Sequence, residues 1–359
     1  VDRTRPLLRD LAPADLEALI AAAGEPRYRA DQLRTWIHAG GALDWAAMSN
    51  LPLRLREALA AEYDLAALAP VARRIAADGT RKYLFFLRDK ETVESVVIPM
   101  EAHATFCLSS QVGCRMACRF CATARGGLVR DLSAGEILEQ VLRLRADLAA
   151  EPVPGHGGRH FNLVFMGMGE PLDNWAEVSR AIATMIAPEG LGISPRRIQI
   201  STSGVEEGLL ALLDFPHPVG LTLSIGCADE QKRRRLMPVS ARTPLSRLVE
   251  LAAAHARRAK RRATLAYVMI EGANDSLAEA RLLADLARGG PFKVNLIPLN
   301  LLDGDSLRPT PRPAVERFQD VLVRAGIRTH IRASGGQDIA AACGQLRRRH
   351  RQGTEEGSR

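Results

Sequence analysis

From residue 105 onward, short apolar runs alternate with longer amphipathic ones, and this alternation restricts the chain to one fold class. TFCLSS, FNLVFMG, RIQIST, VGLTLSI, TLAYVMI, FKVNLIP and IRTHIRA are short and rich in β-branched or aromatic residues, which is how strands read. The stretches between them carry apolar residues at helical spacing with start and stop signals. Ser133 with Glu136, and Ser276 with Glu279, make capping-box patterns. Pro244 and Pro313 occupy first-turn positions, and Gly289 and Gly326 stand where helices end. Repeated β-then-α units pack as a mainly parallel sheet covered by helices. Six or seven units fall short of an eight-unit barrel. The expectation is therefore an α/β fold with an open, partial (β/α)6 barrel, whose chemistry belongs at the carboxyl ends of the strands.

Upstream, the pattern differs. LAPADLEALIAAAG, RADQLRTWIHAG and LPLRLREALAAEY predict small helices over 1–70, and KYLFFLRD and VESVVIP predict a short β connector over 71–100. The α/β core then spans 101–336. A segment with one cysteine and a basic tail fills 337–359. No apolar run reaches the ~18 residues of a membrane-spanning helix, and VDRTRPLLRDLAP lacks a signal-peptide pattern. A cytosolic protein, with no membrane partner, is the expectation.

In a cytosolic chain, six cysteines point to metal binding or redox chemistry before a disulfide framework. Cys114, Cys118 and Cys121 follow the first core strand at C-x3-C-x2-C spacing. Three thiolates so spaced can wrap one soft metal centre. Structural zinc needs a fourth ligand. Cys107 is the nearest spare cysteine, and no C-x2-C or H-x3-H follows. A 4Fe–4S cluster, which normally takes four cysteines, would keep one iron open on three. An open iron can bind a substrate or cofactor. The cluster is the leading reading and zinc the lesser one.

The triad, with an aromatic residue before its last cysteine, resembles the radical S-adenosylmethionine (SAM) enzymes. CLSSQVGCRMACRFCATARGG, VFMGMGEPLDN, ISTSGV, VNLIPLN and DIAAACGQL together resemble the RlmN/Cfr family of radical SAM rRNA adenosine methyltransferases, most nearly its RlmN branch. The match runs from PRYRADQLRTWI at residue 26 to residue 346, in order. The resemblance implies methylation at C2 of adenosine 2503 in 23S rRNA, with a tRNA adenosine as a further candidate. It implies a 4Fe–4S cluster on Cys114, Cys118 and Cys121, two SAM per turnover, a one-electron reductant such as flavodoxin or ferredoxin, and a monomer.

By the same resemblance, the first SAM methylates Cys343. The second yields a radical that takes hydrogen from the S-methyl group, and the methylene radical adds to an adenine carbon too poorly nucleophilic for ordinary transfer. Cys107 then releases the adduct through a transient disulfide with Cys343, by thiol attack on sulfur. Glu94 would accept the proton that the adenine carbon loses. Gly169, Glu170, Ser201, Ser224, Ile225, Gly226 and Asn300 match SAM contacts, with the Glu170 carboxylate suited to the SAM ammonium. On their own residues, Glu94 reads as an exposed strand glutamate, Cys343 as a small buried hydrophobe, and Cys107 as a core residue or fourth metal ligand.

The chain departs from the family at Ser224-Ile225-Gly226-Cys227, where Ser-Leu-His is usual, and at Gly335-Gly336, where Arg-Gly is common. Cys227 matches no family role. The net charge of +8 is concentrated. Residues 231–262 hold eleven basic residues and one acidic one, Glu250. That run, RRRHR at 347–351, and the N-terminal helices with Arg27, Arg29, Arg34 and Trp36 are candidate RNA contacts. A solvated helix face is the alternative for its Arg257–Arg262 part. At 4% aromatic residues, base stacking is not the main device. Two competing functions remain: C8 methylation by the same machinery, and a non-catalytic RNA-binding protein with a structural metal.

Overall fold

The computed structural model describes residues 5–153, 161–301 and 305–332, together with Ile339. Three helices, α1 (Pro13–Ala22), α2 (Tyr28–Ile37) and α3 (Leu53–Glu62), open the chain. Their apolar stripes meet in a separate core around Leu16, Ile20, Leu33, Ile37, Leu55 and Leu59. Buried Arg9 docks this core onto the next domain. Its guanidinium donates to Ile37 O at 2.9 Å and lies 3.7 Å from buried Glu139.

Strands β1 (Leu68–Ile75), β2 (Arg81–Leu87) and β3 (Thr92–Pro99) follow as an antiparallel meander. β1 starts at Leu68, inside the stretch whose composition reads as helical. Its first amide donates to the Glu139 carboxylate at 3.2 Å, so a tertiary contact fixes the strand start. The meander does not stand apart, because β3 pairs with β4 (Ala104–Cys107) and extends the core sheet.

Beyond β4 come the short pair β5 (Gln111–Gly113) and β6 (Leu128–Asp131), then α4 (Ala134–Ala150). The rest is β7 (Phe161–Phe165), α5 (Trp175–Ile186), β8 (Ile198–Thr202), α6 (Glu206–Asp214) and β9 (Gly220–Ser224). Then follow α7 (Glu230–Leu236), α8 (Leu245–Arg258), β10 (Ala263–Met269), α9 (Leu277–Ala287), β11 (Phe292–Pro298), α10 (Arg312–Arg324) and β12 (Thr329–Ile331). The sheet order is β1-β2-β3-β4-β7-β8-β9-β10-β11-β12. From β4 to β12 every pairing is parallel. All seven expected core strands form, as six β/α units and a final strand. Among the described residues, no helix is long and apolar enough to cross a membrane.

The helix signals work unequally. Ser133 and Glu136 exchange both capping bonds, at 3.3 and 3.0 Å. Ser276 accepts from the Glu279 amide at 3.2 Å, but the return bond is absent. The Glu279 carboxylate instead turns inward to Tyr267, Cys227 and Lys232. Buried tertiary partners outcompete a solvent-exposed cap.

Register divides the sheet into two chemistries. Leu163, Phe165, Ile200, Leu221, Leu223, Leu265, Val294 and Leu296 are buried in the main core. Each such side chain stabilises by roughly 1.5–3 kcal/mol. The alternate positions Cys107, Val164, Gln199, Ser201, Thr222, Ser224, Ala266 and Asn295 lie side by side on the opposite face. One face supplies the folding energy, which frees the other to carry polar groups.

Candidate active site

The cysteine loop is anchored by the β5–β6 pair, and Cys114 N donates to Gly127 O at 2.8 Å. Ala117 adopts φ +55°, an unusual turn for a non-glycine residue, between Cys114 and Cys118. Cys121 N donates to Cys118 O at 3.1 Å and closes the turn. Cys114 and Cys118 are buried and Cys121 half-buried. Burial, then the charges of Glu170, Cys121 and Asp173, push the Cys114 thiol up to about 12, with a Met116 amide bond opposing. Cys118 is pushed higher still, by burial and by both other thiols.

These side chains fit a cluster. Around them lie Met116, Leu236, Met237, Ile270 and Leu299, a dry apolar bed. Among the described residues, no group of three His, Cys, Asp or Glu is arranged to hold a single metal ion. The three thiols nevertheless feel one another's charge, which suits a wider, all-sulfur centre. Coordination would deprotonate thiols that burial otherwise keeps neutral. One cation reaches this bed. Fully buried Arg233 donates to Ser203 O, Ser240 O and Thr243 O at 3.4, 3.0 and 3.2 Å, and its charge acts on Cys118.

The matched SAM positions gather at the carboxyl ends of the strands. After β7, Gly169 has φ +102°, and a Cβ there would lie 2.6 Å from Gln111 N. Only glycine lets this turn pack against the start of the cysteine loop. Glu170 N donates to Gln111 Oε1 at 2.8 Å and fastens the two segments. The Glu170 carboxylate is committed within the chain. It accepts from Ser203 N, Ser203 Oγ and Leu172 N at 2.8, 2.9 and 3.1 Å. Burial raises its pKa and these bonds oppose the rise. The side chain therefore ties the β7 strand end to the β8 strand end.

Ser201 on β8 and Ser224 on β9 sit on the polar face, Ser201 level with Thr222 and Ser224 level with Ala266. Ile225 is buried, its amide on Ala266 O at 3.1 Å. Asn300 is half-buried two residues beyond β11. The departure at Gly226 has a local cause. Its φ is +67°, and the Met237 sulfur would lie 2.2 Å from a Cβ, so methionine occupies the space of a side chain. The Gly226 carbonyl accepts from buried Asn274 at 2.7 Å. Cys227 is fully buried against Glu279, which with burial pushes its thiol up to about 12. An inert thiol is consistent with its lack of a matched role.

Glu94 and Cys107 come together through register. Val96 on β3 pairs with Cys107 on β4 and with Lys82 on β2. Two residues earlier on the same face stands Glu94. Glu94 is not an exposed strand glutamate. It is 1% exposed, and its Oε2 lies 2.9 Å from the ammonium of Lys82, which is 0% exposed. Cys107 is a buried free thiol. Cys343, the residue expected to pair with it, lies outside the described residues, as do Gly335-Gly336 and 347–351. Sequence reasoning missed Lys82 and Arg233. A lysine in phase with Leu84 and Phe86 was the available signal for Lys82, but only register brings it to Glu94.

Within the basic run at 231–262, Arg257, Arg258, Lys260 and Arg262 are exposed, in keeping with a solvated face there, whereas several other members have protein partners. Lys232 pairs with Glu279 at 3.0 Å, Arg233 is buried, and Arg247 pairs with Glu206 and Glu250 at 2.9 and 3.0 Å. Arg258 donates to Phe215 O at 2.9 Å. The run is divided among α7, α8 and the turn before β10, so its cations are not all on one element.

A sulfur triad beside SAM-type strand ends, on a partial parallel barrel, defines a radical SAM enzyme. The radical SAM superfamily model matches residues 108–284, and the ribosomal RNA large subunit methyltransferase N-terminal domain model matches residues 7–65. The dual-specificity RNA methyltransferase RlmN of Sorangium cellulosum is 40% identical over 93% of this chain and 93% of its own length. The probable dual-specificity RNA methyltransferase RlmN of Moorella thermoacetica is 43% identical, over 96% and 98%. The crystal structure of a radical SAM methyltransferase from Sphaerobacter thermophilus superposes with a TM-score of 0.89 at 38% identity, covering 95% of this chain and 98% of that one. The chain belongs to the RlmN family of radical SAM RNA methyltransferases.

Proposed function

We propose that this enzyme methylates C2 of adenosine 2503 in 23S rRNA through an S-methylated Cys343, with a tRNA adenosine as second substrate. The observation that carries this reading is the shared face of Glu94 and Cys107, on the sheet whose next loop bears the cysteine triad. Cys114, Cys118 and Cys121 would hold a 4Fe–4S cluster, which would supply the one-electron reduction that cleaves SAM. Two SAM are used per turnover, one as methyl donor and one as radical source, and a flavodoxin- or ferredoxin-type protein supplies the electron.

The chain's own residues divide the remaining work. Main-chain groups of Gly169 and Glu170, with Ser201, Ser224, Ile225, Gly226 and Asn300, orient SAM. The Cys343 thiolate takes the methyl group, since thiolate is the nucleophilic form. Glu94 accepts the adenine C2 proton, and the Lys82 ammonium pairs with its side chain in a water-poor place. Cys107 attacks the Cys343 sulfur and frees the methylated base. The Cys107–Cys343 disulfide exists only between that attack and its reduction.

The test is incubation of anaerobically reconstituted enzyme with 23S rRNA, reductant and labelled SAM, followed by mass spectrometry of nucleosides. The expected product is 2-methyladenosine. Only 8-methyladenosine would overturn the position. Failure to cleave SAM under reductant would overturn the enzyme reading in favour of a metal-containing RNA-binding protein.

A further inference from the structure

Positive charge also collects at a place where only Arg261 belongs to the basic run of the sequence. Arg196 precedes β8, Arg261 precedes β10, Lys293 is the second residue of β11, and Arg328 and Arg332 flank β12. These residues come from four separate segments of the chain; the parallel sheet gathers Arg196, Arg261, Lys293 and Arg328 at the amino ends of its strands, and Arg332 follows the carboxyl end of β12. Val294 pairs with Thr329, so Lys293 and Arg328 are neighbours one step earlier. Arg328, His330 and Arg332 share the polar face of the edge strand, because side chains alternate. Arg261 Nη1 donates to Arg196 O at 3.1 Å. A Cβ on Gly220 would lie 3.1 Å from Arg261 Cζ, which places that guanidinium over the first residue of β9.

The strip is reachable. Arg196, Arg328, His330 and Arg332 are exposed, and Arg261 and Lys293 are half-buried. Among the described residues, none of the five cations forms an ion pair with a carboxylate. Burial, then the charges of Arg261, Arg328 and Arg332, hold the Lys293 ammonium below its usual pKa. Burial and Arg196 do the same to Arg261. Like charges crowded without a counter-charge repel one another unless an anion joins them. By contrast, several cations of the 231–262 run already have protein partners.

We propose that this strip is a backbone-phosphate contact for the RNA substrate, running along the open edge of the barrel toward the carboxyl-end site. The proposal rests on the RNA methyltransferase reading. Arg328 to Arg332 alone spans roughly 13 Å of strand, too long for one phosphate group and suited to successive phosphodiesters. Such contacts add affinity without reading sequence.

The experiment compares the wild-type holoenzyme with R328E/R332E, two changes on an exposed edge strand. A 23S rRNA fragment is titrated across salt concentrations. Affinity is expected to fall at least about tenfold at moderate salt. The slope of log affinity against log salt is expected to shrink by roughly 1.4, about 0.7 for each lost single-strand phosphate contact. Cluster absorbance, SAM affinity and melting temperature report that the variant is folded and loaded. If it is not, the milder R328Q/R332Q replaces it, with the same signs expected. Unchanged affinity and slope, in a variant whose wild type methylates RNA, would overturn the strip alone. A wild type that binds RNA through the strip but never methylates it would overturn the function alone, and one that binds no RNA overturns both. Inorganic pyrophosphate is the control ligand. Binding as tight as RNA would make this a small-anion site and overturn the proposal.

Discussion

Lys82 Nζ lies 2.9 Å from Glu94 Oε2 across the β2–β3 ladder, with both side chains sealed from water. A buried carboxylate deprived of its cation is costly, about 3–5 kcal/mol when one member of such a pair is removed. Lys82→Met is therefore expected to lower stability by that order and to impair methyl transfer. In Lys82→Met/Glu94→Gln, stability should largely return while turnover stays lost. Thermal unfolding and single-turnover methylation separate the two effects. A double variant as unstable as the single one would show that the pair is not the cause.

Cys107 and Cys343 are assigned successive roles, so their variants should fail differently. Cys343→Ala should bind SAM and show the cluster absorbance but leave RNA unmodified. Cys107→Ala should form the RNA–protein adduct and not release it, visible as a nuclease-sensitive band of raised mass on a denaturing gel. Cys227→Ala, a change at a fully buried thiol beside Glu279, should retain methyl transfer. A retained methyl product in Cys343→Ala would remove the two-step scheme.

Gly169 tests the link between the strand-end turn and the cysteine loop. A methyl group there meets Gln111 N at 2.6 Å in a backbone conformation that L residues rarely adopt. Gly169→Ala should cost about 1–3 kcal/mol in backbone strain, with further loss from the clash. It should also weaken SAM binding at least about tenfold, measured by equilibrium dialysis with labelled SAM. Unchanged SAM affinity would refute the placement.

His38 gives the N-terminal domain a pH dependence. Burial, then Arg9 and Arg34, lower its pKa from 6.5 to about 4. Below pH 6.5 the unfolded chain binds a proton that the folded chain refuses, so stability falls as the pH drops. The loss accumulates between 6.5 and about 4, reaching about 3 kcal/mol, and is absent at neutral pH. His38→Gln should flatten this part of the profile, measured by denaturant unfolding at pH 7.5 and 5. A slope identical to wild type would assign the titration elsewhere.

The alternation of short and long apolar runs was enough to define seven core strands, because a parallel sheet with one helix-packed face imposes a period that composition alone can carry. The cysteine spacing and the strand-end motifs are equally local, so the class of chemistry was legible without coordinates. Pair relations were not. Lys82 stands twelve positions from Glu94, and nothing in either segment states the register that joins them. Glu279 reads as a helix cap until the sheet brings Tyr267 and Cys227 to its carboxylate. The densest run of positive charge is split among three elements, whereas Arg196, Arg261, Lys293 and Arg328 gather at the amino ends of the strands and Arg332 continues along the edge strand. The periodic elements and the loops that carry the sulfur triad can be read from the chain's local pattern, since both depend on neighbours along the chain. Tertiary structure alone decided which charges are neutralised and which remain available. That depends on distances between residues far apart in sequence, and packing sets those distances.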